Sequence, residues 1–141
     1  MNKSTAEGRI ESVLEAAWAG KYPTNALDRG NRDSIDLEKE RGKMFMTSEV
    51  LFPRTAQSAM VGQNSPHRIF GELHFTIFLP SGRGTRGITE VSDFMEETFG
   101  LKTISGILFR TVQEISKSNP ETVDLCRRSC LIEFTFDSFT P

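Results

Sequence analysis

The sequence predicts an α+β fold, a two-layer sandwich in which two helices lie on one face of a four-stranded, mainly antiparallel sheet. Two segments carry apolar residues at the 3.6-residue period of a helix, and four others alternate apolar and polar residues as strands do. The predicted order is α-β-β-α-β-β, so no helix separates strands one and two, or strands three and four. Such neighbours favour antiparallel pairing over a doubly wound sheet. The 141 residues, of which 37% are apolar, suit a single domain covering 1–141.

The first predicted helix occupies the N-terminal part of the chain. Ser4 or Thr5 is expected to cap its start, and Gly20 marks its end. The apolar residues that share one face of this helix are Ile10, Val13, Leu14, Ala17 and Trp18.

The second predicted helix follows a glycine-rich turn and ends before Gly100, which is placed where a C′ glycine belongs. Its inward face is expected to carry Ile88, Val91, Met95 and either Thr98 or Phe99. The acidic residues on the other side, Glu90, Asp93, Glu96 and Glu97, are interpreted as a solvated helix face.

Four segments read as strands, at 44–52, 68–79, 107–115 and 128–136. Pro53 is expected to stop the first of them, because proline cannot donate a ladder hydrogen bond. The second strand alternates most clearly and carries polar residues on one face, as a sheet does when that face is wetter.

Two long connections, at 25–43 and 54–67, are a feature that a compact domain seldom needs without a function. The first carries five acidic and five basic residues, with Arg29 and Arg32 among them. It fits either a solvated loop or an arm that orders against a neighbouring subunit. The second is rich in small polar residues, and its candidate contact residues are Arg54, Met60, Val61 and His67. Both connections are hypothesised to order on assembly.

The composition excludes several classes of function. The formal net charge is -2, from 17 basic and 19 acidic residues mixed along the chain, which argues against tight nucleic-acid binding. No stretch reads as a signal peptide or a membrane span. Cys126 and Cys130 are therefore expected to be free thiols in a reducing compartment.

No set of residues predicts an active site or a cofactor site. The stretch from Gly82 to Gly87 matches G-x-G-x-x-G, but the acidic residue that a dinucleotide site needs about 20 residues later is missing. Cys126 and Cys130 lack further ligands for zinc. Neither His67 nor His74 accompanies a nucleophile motif. We therefore expect a non-enzymatic protein with no cofactor and no metal.

Phenylalanine is unusually frequent, with 11 residues against one Trp and one Tyr. Some of these rings exceed what a two-layer core needs, and spare apolar surface is typical of subunit contacts. The rings expected on the less covered face or end are Phe45, Phe70, Phe78 and Phe139.

The segment 67–85, which reads HRIFGELHFTIFLPSGRGT, resembles the phage tail-terminator-like family. Members begin with a short helix and a long variable stretch. They continue with a strand of the form x-G-x-L-x-h-x-h-F-x-P, where h is an apolar residue, then a glycine-rich turn, a helix and two closing strands. The resemblance covers nearly the whole chain and consists of packing and turning patterns.

The resemblance implies a virion structural protein at the junction of tail and neck, present in the host cytoplasm during assembly. A tail terminator forms a ring, commonly a hexamer, that caps the tail tube, stops its polymerisation and provides the surface for the head-tail connector or neck protein. DNA would only pass through the lumen, and no membrane is involved. The alternatives are a neck or head-completion protein of the same assembly and, from another class, a small ligand-binding α+β domain.

Overall fold

The computed structural model describes residues 1–30, 42–57, 66–80, 84, 86–115, 119–120 and 125–139. Within these ranges the chain forms two helices and seven strands. In chain order they are α1 (Lys3–Lys21), β1 (Leu27–Arg29), β2 (Phe45–Gln57), β3 (Pro66–Pro80), α2 (Arg86–Phe99), β4 (Thr103–Ile104), β5 (Ile107–Glu114), β6 (Asn119–Pro120) and β7 (Leu125–Phe139).

The strands form one curled, half-barrel sheet in the order β1-β2-β3-β7-β5-β4, and the two-residue β6 pairs with β7. β1 runs parallel to β2, and the other pairs are antiparallel. The predicted two-layer sandwich with a four-stranded antiparallel sheet is therefore wrong, and so is the order α-β-β-α-β-β. The short strands β1, β4 and β6 have two or three residues each, too few for alternation to be recognised in the sequence.

Strand β2 does not stop at Pro53, as the sequence predicted, but continues to Gln57. The pairing with β3 shifts register between Leu51 and Arg54, so the proline lies in a bulge. In addition, β1 pairs with β2 only at 46–48, which leaves Pro53 beyond the reach of that neighbour. Both conditions allow proline within a strand, because its missing N–H then breaks no ladder hydrogen bond.

Helix α1 begins two or three residues earlier than expected. Asn2 is the N-cap, and its side-chain oxygen accepts a hydrogen bond from the Thr5 N–H at 2.8 Å, so the predicted caps Ser4 and Thr5 lie inside the helix. Three residues of the predicted apolar face, Ile10, Leu14 and Trp18, are buried, whereas Val13 and Ala17 are partly buried against the core.

Helix α2 packs on the same face of the sheet through Ile88, Val91, Phe94, Met95 and Phe99. Its acidic side is not wholly solvated, because Glu96 accepts a hydrogen bond from the Val112 N–H at 2.7 Å. Val112 ends the register shift of β5 against β7. The Glu96 carboxylate thus accepts a hydrogen bond from a backbone N–H at an irregularity of the sheet, where the regular ladder of hydrogen bonds is disrupted.

The helices and the inner face of the sheet form one apolar core. Phe134 of β7 is 1% exposed and contacts Phe109 and Phe52 at ring distances of 5.6 and 6.0 Å. Its cross-strand partner is Gly71. A Cβ atom at Gly71 would lie 2.2 Å from the Phe134 ring. The ring therefore occupies the space that a side chain at position 71 would need.

We expect Phe134→Ala to lower the free energy of unfolding by about 3–5 kcal/mol. Gly71→Ala should cost about 1–3 kcal/mol in the wild type, because the ring must move. Most of that second cost should vanish in the Phe134→Ala background, since the obstructing ring is gone. Urea unfolding of the four proteins measures the coupling.

Gly8→Ala is a matched control for the glycine substitution, because nothing lies within 4 Å of a Cβ atom at Gly8 in α1. It should leave stability unchanged or raise it by up to about 1 kcal/mol. Strictly additive effects of Gly71→Ala and Phe134→Ala would contradict the described contact.

We also expect Glu96→Ala to lower the free energy of unfolding by about 1.5–3 kcal/mol, the range for hydrogen bonds to charged groups. Glu96→Gln keeps an acceptor and should lose less. Glu97→Ala, at the exposed neighbouring position, should change stability by no more than about 0.5 kcal/mol. Thermal melting of the three variants provides the comparison, and equal losses for Glu96 and Glu97 would refute the role of the carboxylate.

Candidate functional site

The face of the sheet opposite the helices, here called the outer face, is the candidate site for contact with a partner. Both helices contribute their buried residues to the core on the inner face. The cross-strand register places the following residues on the outer face: Phe45, Thr47, Glu49, Leu51, Phe70, Glu72, His74, Thr76, Phe78, Leu108, Ser129, Leu131, Glu133 and Thr135. Most of these side chains are half-buried, because neighbouring side chains cover part of each one.

One end of the outer face is aromatic. The rings of Phe45 and Phe78 are stacked, with 4.7 Å between their centroids and an angle of 12°. Phe45 is only 4% exposed, whereas Phe78 is half-buried. Of the two rings expected to contact a partner here, Phe78 therefore offers the more accessible surface.

The middle of the outer face is polar. The hydroxyls of Thr76 and Ser129 lie 3.1 Å apart across β3 and β7. The next residue of β3 on this face, His74, places its Nε2 atom 2.8 Å from Oε1 of Glu72. These contacts order the side chains at the centre of the face.

A cleft of about 410 Å³ adjoins Glu72, and we call it the acidic cleft. It is lined by Pro53, Phe70, Gly71, Glu72, Arg110, Glu133, Phe134 and Thr135. Glu72 and Glu133 are directly opposed on β3 and β7, so two carboxylates lie side by side in a half-buried position. Like charges directly opposite each other destabilise a sheet, which makes this pair unusual.

Two exposed leucines, in β2 and β5, pair with residues that line the cleft. Leu108 pairs with Thr135 and is 52% exposed, and Leu51 pairs with Glu72 and is 38% exposed. Leu101 is 73% exposed and has a φ of 55°, a backbone conformation that residues other than glycine seldom adopt.

The hairpin between β4 and β5 is well defined. Ser105 and Gly106 both have positive φ, at 51° and 84°, as a two-residue hairpin turn requires. Arg9 of α1 donates a hydrogen bond to the Ser105 carbonyl at 2.9 Å and so joins the hairpin to the first helix. The neighbouring leucines are thus presented from an anchored turn.

The other predicted contact residues are placed as follows. Arg29 lies in β1 and forms an ion pair with Glu15 at 2.7 Å. His67 is half-buried in β3, at a position that falls on the inner face by the alternation of the strand. Arg32, Met60 and Val61 lie outside the described residues. Arg54 is in β2 and Phe139 in β7, but their side chains lie outside what the structure describes.

The structure brings together Phe70, Glu72 and Glu133, of which only Phe70 was predicted as a contact. Glu72, Glu133, Leu101 and Leu108 were not predicted as contact residues. Glu72 and Glu133 could have been found from alternation alone once the pairing of β3 with β7 was known, because both fall on the polar side of their strands.

The two cysteines are free thiols on the inner face. Burial raises the pKa of the Cys130 thiol, and nearby Glu114 raises it further. Within the described ranges no three His, Cys, Asp or Glu side chains form a group that could hold a metal ion. Among the described residues, no helix is both long enough and apolar enough to cross a bilayer.

Comparison with known proteins identifies the fold. No family model matches the chain, and no curated protein does. Among solved structures, one that matches has a TM-score of 0.70 at 13% sequence identity, and the match covers 100% of this chain and 99% of the other. The name of that protein states no activity or ligand. At this identity the likeness establishes a shared fold along the entire chain.

We expect the two thiols to differ sharply in reactivity. Cys130 is 1% exposed and its raised pKa keeps it protonated, whereas Cys126 is only half-buried. At a pH of about 8, iodoacetamide should modify Cys126 at least about ten times faster than Cys130 in the folded protein, and at similar rates in urea. Mass spectrometry of Cys126→Ser and Cys130→Ser reports each rate. Equal labelling in the folded state would contradict the described burial.

Proposed function

We propose that this chain is a virion structural protein that assembles with copies of itself into a ring and caps the tail tube of a long-tailed phage. The observation that carries the proposal lies in β3 (Pro66–Pro80). This strand holds most of the stretch that resembles the tail-terminator-like family, and it also runs along the middle of the outer face. The residues of the resemblance thus coincide with the surface best suited to a partner.

The character of the outer face supports an assembly role. It combines the half-buried ring of Phe78 with the exposed side chains of Leu51 and Leu108, around a polar centre. A protein interface has an apolar contact area interrupted by a few well-placed polar groups. The exposed Leu101 beside the β4–β5 hairpin extends the available apolar surface.

A ring requires heterologous contacts, in which one patch of each copy binds a different patch of the next. The chain offers distinct candidate patches, because the outer face and the sheet edge at β4 differ in composition. In the proposed role the ring would stop tube polymerisation and bind the head-tail connector or neck protein. The neck or head-completion role remains the alternative within the same assembly.

A ligand-binding domain is the second candidate, and the acidic cleft favours it. Its volume of about 410 Å³ falls within the range of small-molecule sites, about 300–1,000 Å³. The lining argues against this candidate, because Glu72, Glu133 and Arg110 are charged, whereas small-molecule sites are mostly apolar.

The decisive measurement is the mass of the assembled particle by size-exclusion chromatography with light scattering, followed by electron microscopy. We expect a ring near six subunits, either from the free protein or on addition of purified tail tube. Particles made without the protein should show overlong tails beside unjoined heads.

Three results would each change the conclusion. A chain that stays monomeric with and without tail tube would overturn the ring. A ring that binds only the connector and leaves tail length normal would favour the neck role. A monomer whose melting temperature rises in a saturable way with a small molecule would favour ligand binding.

A further inference from the structure

We draw no further inference here: the strongest candidate, the exposed apolar surface of Leu101 and Leu108 beside the β4–β5 hairpin, carries none because nothing in the structure shows what covers it.

Discussion

The antiparallel pairing of β3 with β7 is the interaction on which the rest of the structure depends. Every residue from Pro66 to Pro80 has a cross-strand partner in β7. The two strands are separated in sequence by a helix and three short or medium strands. This long-range ladder joins the two halves of the chain, with β2 on one side of it and β5 on the other. The helices then cover the inner face that the ladder creates.

One register determines both faces of that ladder. It places Gly71 opposite Phe134 on the inner face and Glu72 opposite Glu133 on the outer face. A slip of one residue would turn Phe134 outward and bring a carboxylate into the core, so burial of the aromatic residues strongly selects the observed pairing. The repulsion between the two glutamates is small beside that selection, which explains how a stable sheet can carry an unfavourable pair on its surface.

The flanking strands adapt to the central ladder through irregularities. β2 shifts register around Pro53, and β5 shifts between Phe109 and Val112. Bulges increase local twist, and together with the length of β2, β3 and β7 they account for the curl of the sheet. The Glu96 carboxylate satisfies a backbone donor at the second irregularity, so α2 both covers the core and holds the edge of the sheet in place.

The sequence by itself determined where the helices and the long strands lie and which side of each faces the core. The spacing of Ile10, Leu14 and Trp18 and the alternation along β3 depend only on local geometry, which is periodic and therefore visible in the chain. Tertiary structure decided the rest. Strands of two or three residues, such as β4, form only because a neighbour is already in place, and Pro53 is tolerated only at a bulge near an edge. The acidic cleft likewise exists only through the register of β3 and β7, because Glu72 and Glu133 are distant in sequence and no local pattern links them.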